Sequence, residues 1–238
     1  MVASVKIPPL IVLAGGLGTR LRSVVADKPK ILAPIGQHPY LYHLITWAQR
    51  QGIEEMHFCL GYKANQVIDW LESCSIEMSF SWQVEQQQLG TGGALVEALK
   101  HPMLAQRESV LVCNGDTFVD FSVAEFIAQA RTHSAILTTS VADAGRYGRI
   151  LKDSTDQLVE FLEKDSQAGP GEINAGWYYF SGDNLANLRN SQITSLEKDF
   201  LMASLPQPLT CVCMGQSFLD FGTPESYQAA QTLFKDAL

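Results

Sequence analysis

Residues 15–20, with the sequence Gly-Gly-Leu-Gly-Thr-Arg, could bind the phosphate groups of a nucleotide. They follow an apolar run at residues 9–14, which predicts a buried strand. Glycines allow backbone N–H groups to approach phosphate oxygens closely, and a dipolar turn of this kind favours anions. Arg20 lies in this loop and Lys30 ends the Lys-Pro-Lys sequence at 28–30, so that both add positive charge nearby. The pattern predicts a triphosphate-binding loop at the end of a strand.

The loop fits neither of the two common phosphate-binding patterns. A dinucleotide fingerprint that starts at Gly16 would need glycine at position 21, where the chain has Leu21. A P-loop would need Gly-Lys followed by Ser or Thr, and residues 15–30 do not contain it. The alternative for these residues alone is an ordinary β–α turn with a solvated arginine.

An aspartate follows a second apolar run. The sequence Asn-Gly-Asp at 114–116 comes directly after the strand-like residues 110–113. Asp116 is therefore placed at the carboxyl end of a strand, where its oxygens suit Mg²⁺, which prefers carboxylate and phosphate oxygens. The alternative is a surface turn, because Asn, Gly and Asp are all common in turns.

Three further segments carry polar or small residues at predicted strand ends. Residues 85–94 link a strand to a helix and contain three glycines, which would permit close packing against a flat ligand. Glu163 and Lys164 end one predicted strand, and the Asn-Ala-Gly sequence at 174–176 opens the next, so both could face a sugar phosphate. The first pair could equally be a solvated ion pair. In the sequence at 220–225, Thr223 and Pro224 are explained by the start of a helix, whereas Asp220 is not.

Strand and helix signals alternate over the first 140 residues or so, which predicts a mostly parallel sheet with helices on both faces. We predict strands at 55–60, 76–84, 109–113 and 135–141, and helices after Pro39, at 66–72 with Asn65 as the cap, at 91–100 and at 121–131. After residue 142 the sequence predicts a hairpin, a β run at 174–180, two short helical segments near 183–188 and 196–205, a strand at 209–214 and a closing helix from Pro224.

We expect one Rossmann-like α/β domain that covers residues 1–238. Its nucleotide-binding half covers 1–142, and a smaller β-rich sugar-binding lobe covers 143–238. Ligands of such sheets bind beyond the carboxyl ends of the strands.

Composition excludes several classes of protein. The formal net charge of −8 argues against broad nucleic-acid binding, which needs a basic surface. The sequence has no apolar run near the ~18 residues that span a bilayer, and no signal-peptide pattern at its start. Its five cysteines form no Cys-x-x-Cys pair. We therefore expect a cytoplasmic protein that binds neither nucleic acid nor membrane.

Taken together, in this order and spacing, these segments resemble the sugar-1-phosphate nucleotidyltransferases over essentially the whole chain. Residues 23–30 and 89–94 look closest to the D-glycero-α-D-manno-heptose 1-phosphate guanylyltransferases. Members of the wider family join a sugar 1-phosphate to a nucleoside triphosphate and release pyrophosphate. The resemblance implies the nucleotide-diphospho-sugar transferase fold, Mg²⁺ as cofactor, and a homo-oligomer, either a dimer or a tetramer. It leaves open other members, such as a mannose-1-phosphate guanylyltransferase or a uridylyl-, thymidylyl- or cytidylyltransferase.

The resemblance also implies roles for individual residues. Arg20 and Lys30 would be catalytic, and Asp116 and Asp220 would hold the metal. The nucleotide-binding residues would be Leu13, Ala14, Gly15, Gly16, Gly18, Thr19, Arg20, Glu85, Gly90, Thr91, Asn114 and Gly115. The residues that bind the sugar phosphate would be Tyr147, Gly148, Glu163, Lys164, Asn174 and Gly176. A carboxylate at Glu85 only accepts hydrogen bonds, which suits the adjacent N–H donors of guanine and favours GTP.

Two other classes of protein share some of these features. A glycosyltransferase that uses a nucleotide sugar usually carries Asp-x-Asp at a strand end, and residues 116–118, Asp-Thr-Phe, do not supply it. A non-catalytic regulatory protein that binds nucleotide sugars would be expected to lose Arg20, Lys30 or an aspartate, and this chain keeps them all. The residues therefore favour the enzyme.

Overall fold

The computed structural model describes residues 6–18, 21, 25, 27–130, 134–145, 147–162, 169–203, 205–215 and 218–234. The strands are, in chain order, β1 (Leu10–Ala14), β2 (Pro34–Ile35), β3 (His38–Pro39), β4 (Glu55–Leu60), β5 (Ser79–Val84), β6 (Ser109–Asn114), β7 (Thr117–Val119), β8 (Ser134–Val141), β9 (Ile150–Lys152), β10 (Leu158–Phe161), β11 (Gly171–Ser181), β12 (Thr210–Cys213) and β13 (Phe218–Asp220). The helices are α1 (Tyr40–Arg50), α2 (Ala64–Ser73), α3 (Gly90–Ala98), α4 (Val123–Gln129), α5 (Gly182–Asn190) and α6 (Pro224–Leu233). A 3₁₀ turn covers Lys30–Leu32, and a π-helical segment covers Leu196–Leu201.

Seven of these strands form the central sheet, in the order β12-β8-β11-β6-β1-β4-β5. The pairs β6–β1, β1–β4, β4–β5 and β12–β8 are parallel, and only β11 runs antiparallel to both of its neighbours, β6 and β8. The predicted class, a mixed and mostly parallel sheet with flanking helices, is confirmed. The segment after residue 142 contributes β11 and β12 to this same sheet and adds the hairpin β9–β10. The division of function at residue 142 stays a prediction.

Both faces of the sheet are buried. In β1, Leu10 and Val12 belong to the hydrophobic cluster on one face, and Ile11, between them, belongs to the cluster on the other. Alternate side chains of a strand point to opposite faces, so a strand covered on both sides reads as a continuous apolar run. This burial holds the carboxyl ends of β1, β4 and β6 at fixed positions along one edge.

The helices start close to their predicted positions, with one exception. Thr223 caps α6 through reciprocal hydrogen bonds with Ser226, and Pro224 occupies the first turn, as expected. The expectation that Asn65 caps α2 is wrong, because the helix already includes Ala64 and follows Lys63, whose φ of 54° is left-handed. The backbone N–H of Ala64 donates to the carbonyl of Gly61, so this turn sets the start of the helix. Among the described helices, none combines the length and the apolar character needed to cross a bilayer.

Candidate active site

A cavity of about 560 Å³ opens at the carboxyl ends of the parallel strands. Ten residues predicted to bind the nucleotide line it, namely Leu13, Ala14, Gly15, Gly16, Gly18, Glu85, Gly90, Thr91, Asn114 and Gly115. Lys30 and Asp116 line it as well. Thr19, Arg20, Glu163 and Lys164 lie outside the described residues, so their predicted roles stay predictions.

The glycine loop that follows β1 is packed directly against neighbouring backbone. A Cβ atom added to Gly61 would lie 2.6 Å from the carbonyl oxygen of Gly15, and one added to Gly115 would lie 2.9 Å from that of Leu13. Gly18 has a left-handed φ of 57°. Side chains at Gly61 and Gly115 would collide with the backbone of residues 13–15, and the left-handed backbone of Gly18 favours glycine. Glycine at these positions therefore allows the loop to follow this path beside the cavity.

Lys30 and Asp116 form an ion pair in the lining of the cavity. Nζ of Lys30 donates to Oδ2 of Asp116 at 2.7 Å. The Lys30 side chain is 14% exposed and that of Asp116 is 45% exposed. The 3₁₀ turn holds Lys30 in place, because its neighbours Ile31 and Leu32 are buried in the core. The Lys30 ammonium therefore faces the cavity from a turn that is anchored in the core.

Glu85 lies over the glycine loop. A Cβ atom on Gly15 would be 2.8 Å from Oε1 of Glu85, while Oε2 accepts a hydrogen bond from the backbone N–H of Leu89 at 3.2 Å. Burial raises the pKa of this carboxyl, and the hydrogen bond from Leu89 lowers the pKa by a smaller amount. Among the described residues, Oε1 accepts no hydrogen bond, so it can accept one from a ligand.

The glycines at 90–93 pack against protein rather than leaving space for a flat ligand. A Cβ atom on Gly90, whose φ is 72°, would lie 2.3 Å from the carbonyl oxygen of Thr194. A Cβ atom on Gly92 would lie 2.8 Å from the Ile193 side chain. The backbone N–H of Gly92 donates to the same Thr194 carbonyl at 2.8 Å. These glycines therefore join the start of α3 to the segment before the π-helical turn, while Gly90 and Thr91 still line the cavity.

The two predicted metal ligands are brought to the same edge of the cavity. Strands β7 and β13 pair so that Asp220 lies opposite Thr117, the residue after Asp116. The backbone N–H of Phe221 donates to the carbonyl of Asp116 at 2.9 Å. A Cβ atom on Gly222, which lines the cavity, would lie 2.8 Å from Oδ1 of Asp220.

The composition of this edge fits Mg²⁺. Within the described part of the chain, no three His, Cys, Asp or Glu residues gather to form a complete metal site. Mg²⁺ is commonly bound by one or two carboxylates together with substrate phosphates and water. Two aspartates beside the glycine loop match that pattern.

The predicted residues of the sugar-phosphate site fall into two groups. Gly176 occupies a bulge of β11, with a φ of 76°, and a Cβ atom there would lie 2.9 Å from Nδ2 of Asn114. Oδ1 of Asn174 accepts from the Gly176 N–H at 2.8 Å, which shapes the bulge. Neither residue lines the cavity, but Gly176 lies directly beside Asn114, which does.

Tyr147 and Gly148 do not line the cavity. The Tyr147 ring packs edge-on against Phe218 with centroids 5.3 Å apart, which places it beside the strand that carries Asp220. Gly148 has a φ of 78°, in the segment that leads to the hairpin β9–β10. Both lie on the side of the site formed by the second half of the chain.

Sequence reasoning did not identify several residues of the site. The lining also includes Leu21, Ile31, Gln88, Ala94, Thr194 and Gly222. Glu197, in the π-helical segment, accepts hydrogen bonds from Tyr178 at 2.9 Å and from Thr91 at 3.4 Å. The sequence signals only a short helix at this point. A partly buried carboxylate that accepts from residues of two other elements can be recognised only from the tertiary structure.

The chain is similar to proteins of known activity. The family model described as Nucleotidyl transferase matches residues 10–236. The D-glycero-alpha-D-manno-heptose 1-phosphate guanylyltransferase of Campylobacter jejuni is 31% identical over 218 residues, which cover 91% of this chain and 96% of that protein. The mannose-1-phosphate guanylyltransferase catalytic subunit beta of Dictyostelium discoideum is 28% identical over 235 residues, covering 96% of this chain and 65% of that one.

Solved structures show the same fold. The crystal structure of HddC from Yersinia pseudotuberculosis complexed with GMP-PN has a TM-score of 0.84 and 31% sequence identity, covering 96% of this chain and all of the other. The resemblance noted from the sequence is therefore confirmed, and the chain belongs to the nucleotidyl transferase family.

Proposed function

We propose that the protein transfers a guanylyl group from GTP to a sugar 1-phosphate, with heptose 1-phosphate as the favoured acceptor, and releases pyrophosphate. The observation that carries this proposal is the cavity, in which a glycine loop, a lysine and an aspartate converge beside an unoccupied acceptor atom of Glu85. The relatives named as guanylyltransferases and the neighbour complexed with GMP-PN support the choice of guanine.

The chemistry requires cancellation of charge more than proton transfer. A sugar phosphate is largely dianionic near neutral pH, because its second pKa is about 6, so its oxygen needs no general base. That oxygen attacks the α-phosphorus of GTP and forms a new P–O bond. On the opposite side, the bond between the α-phosphorus and the oxygen that bridges to the β-phosphate breaks, and pyrophosphate leaves. Positioning and electrostatic stabilisation supply most of the catalysis in such transfers.

Lys30 is the described cation best placed for this role. Its ammonium faces the cavity and pairs with a carboxylate whose side chain is 45% exposed, so solvent partly screens the pair. It can therefore exchange this partner for a phosphate oxygen at little cost. Arg20, for which the resemblance implies contact with the departing pyrophosphate, would share the charge.

Asp116 and Asp220 would hold Mg²⁺, which would neutralise phosphate charge when bound. The residues themselves fix where that can happen. The pairing of β7 with β13 and the Phe221-to-Asp116 hydrogen bond keep both aspartates beside the phosphate-binding loop.

Glu85 would select the base. Oε1 faces the cavity over Gly15, and a carboxylate accepts from both N–H groups on the pairing edge of guanine. Uracil and thymine present carbonyl acceptors next to their single ring N–H, and a carboxylate repels those acceptors.

The sugar phosphate would be bound by residues from the second half of the chain, namely Tyr147, Gly148, Glu163, Lys164, Asn174 and Gly176.

The experiment that tests this proposal is a matrix of substrates. Heptose, mannose, glucose and galactose 1-phosphates are each incubated with GTP, UTP, CTP or dTTP and Mg²⁺, and pyrophosphate release is measured. We expect the highest kcat/KM with GTP and heptose 1-phosphate. A preference for mannose 1-phosphate would move the chain to the activity named for the Dictyostelium relative, and no release with any pair would refute the proposal.

A further inference from the structure

One carboxylate connects the two halves of the site. Oε1 of Glu197 accepts from the Tyr178 hydroxyl at 2.9 Å, and Oε2 accepts from the Thr91 hydroxyl at 3.4 Å. Thr91 lines the nucleotide cavity, whereas Tyr178 belongs to β11, the strand that carries the sugar-phosphate residues. Glu197 itself does not line the cavity, so it acts through its neighbours.

On the sugar side, the connection runs through the buried Tyr178. Tyr178 is 0% exposed, and its hydroxyl accepts from Nδ2 of Asn174 at 2.7 Å while donating to Glu197. Burial, and next the charge of Glu197, raise the pKa of Tyr178 well above its usual value, so the hydroxyl keeps the proton that it donates. Asn174 in turn shapes the Gly176 bulge through its other side-chain atom. The orientation of Asn174 therefore depends on Tyr178.

On the nucleotide side, the same segment is attached to the start of α3. The backbone N–H of Leu196 donates to Oγ1 of Thr91 at 2.9 Å, and the N–H of Gly92 donates to the Thr194 carbonyl at 2.8 Å. The segment after Ser195 is π-helical, a form that occurs mostly as single turns and frequently at functional sites. The turn places Glu197 between the two donors.

We propose that Glu197 is a positioning residue that couples the nucleotide and sugar-phosphate sites. It fixes Thr91 on one side and, through Tyr178, Asn174 on the other. Removal of a hydrogen bond of this connection on the sugar strand should then weaken nucleotide binding, because Glu197, which holds Thr91, loses part of its own support. This inference rests on the proposed function for the identity of the second ligand, but its nucleotide arm can be measured alone.

The first test removes one hydroxyl from the connection. Tyr178→Phe deletes the bond to Glu197 and the acceptor for Asn174, while Tyr179→Phe, one position along β11, makes the same chemical change on the opposite face. GTP binding is measured by calorimetry without sugar phosphate. We expect Tyr178→Phe to raise the Kd for GTP roughly fivefold, as the net loss of about one hydrogen bond, and Tyr179→Phe to leave it within about twofold.

The second test acts on Glu197 itself. Glu197→Ala should raise the Kd for GTP and the KM for the sugar phosphate together, with kcat changed by less than about threefold because no reacting group is removed. Glu197→Gln keeps an oxygen for Tyr178 and has an amide group that can donate to Thr91, so it should recover most of both affinities. Thermal unfolding of each variant shows that it is folded.

Three results would overturn the coupling. They are an unchanged Kd for GTP in Tyr178→Phe, an effect of Glu197→Ala on only one of the two substrates, and a Glu197→Gln variant no better than alanine. Weaker GTP binding by Tyr178→Phe supports the coupling even where no sugar 1-phosphate is turned over. Failure of the proposed function and failure of the coupling therefore give different results.

Discussion

Nζ of Lys30 lies 2.7 Å from Oδ2 of Asp116, although the two residues are 86 positions apart in the chain. The pair joins the proposed catalytic cation to one of the proposed metal ligands. Each side chain neutralises the other, so both are held at the cavity without a large desolvation cost. A phosphate at this point would offer Lys30 a second anionic partner and leave Asp116 available for a cation.

The ion pair leads to a prediction for Lys30. Lys30→Ala should lower kcat by ~100-fold, which is typical for loss of one charge-stabilising donor, while the stability of the fold changes little. Steady-state kinetics and thermal unfolding measure the two effects. Lys28→Ala is the matched control, because Lys28 is exposed and the charge change is the same. Turnover of Lys30→Ala close to that of the wild type would remove Lys30 from the mechanism.

A second prediction concerns Asp220. Asp220→Asn removes a negative charge from the edge formed by β7 and β13, and should raise the half-saturating Mg²⁺ concentration by about tenfold or more. Asp116→Asn should do the same and also release Lys30 from its partner. Titration of activity with Mg²⁺ measures the effect, and the exposed Asp69→Asn on α2 is the control. Identical titrations for all the proteins would show that these aspartates bind no metal.

The positions of these residues show what the sequence could predict. Apolar runs followed by short polar or glycine-rich segments mark the ends of parallel strands, and such ends meet along one edge of a sheet. The pattern places Glu85 and Asn114 at such ends, and the family resemblance assigned both residues, with Leu13, to the nucleotide. All three line one cavity.

Other features of the site depend on tertiary packing that no local pattern reveals. From the sequence, the glycines at 90–93 are interpreted as a loop that packs against a ligand. In the structure, a side chain at Gly90 would instead collide with the carbonyl of Thr194, 104 positions later. Glu197 has no local signal, because its importance comes from hydrogen bonds to Thr91, 106 positions away, and to Tyr178. Such pairings arise only once α3 packs against the π-helical segment.

Glu85 carries a prediction about the base. Glu85→Gln should raise the Kd for GTP about tenfold, as expected for loss of a hydrogen bond to a charged acceptor, and should weaken the preference for GTP over UTP. Competition binding with the four triphosphates measures both. A Glu85→Gln variant with an unchanged order of preference would show that other groups select the base.

The raised pKa of Glu85 predicts a pH dependence with a definite sign. Because burial lifts this pKa above the ordinary value of 4.5, the carboxylate becomes protonated earlier than an exposed glutamate as the pH falls. The protonated form has lost acceptor capacity, so the affinity for GTP should fall as the pH is lowered towards this pKa. The triphosphate also titrates on acidification, and Glu85→Gln is the control that retains only that contribution. Parallel pH profiles for the two proteins would contradict the assignment.

Substitution of Gly90 should reduce stability for two reasons, the left-handed backbone and the close contact with Thr194, and the two can be measured separately. Gly90→Ala should lower the free energy of unfolding by about 2–4 kcal/mol, because the left-handed backbone disfavours a Cβ atom and the Thr194 carbonyl must also move. Gly36→Ala is the matched control, since its φ of 59° is similar but nothing lies within 4 Å of the added atom. Urea denaturation should show a loss of only about 1–2 kcal/mol for the control. Equal losses for the two variants would mean that the contact with Thr194 is unimportant.

Tyr40 gives the last prediction, because it supports both aspartates of the proposed metal site. Its hydroxyl donates to the carbonyl of Thr117 at 2.8 Å, next to Asp116, and its ring packs on Phe221, next to Asp220, with centroids 4.2 Å apart. Burial raises the pKa of Tyr40 well above its usual value, so the hydroxyl remains a donor throughout the physiological range.

Tyr40→Phe keeps the ring but leaves the Thr117 carbonyl without this donor, which should cost about 1–2 kcal/mol of unfolding free energy. The loosened β7 should also raise the Mg²⁺ concentration required for activity. Tyr42→Phe, on the same helix, is the control, because the Tyr42 ring stacks on His38 away from both aspartates. A metal site held by β7 must weaken when β7 moves. If Tyr40→Phe lost stability but kept the wild-type Mg²⁺ titration, Tyr40 would therefore support only the core and not the metal site.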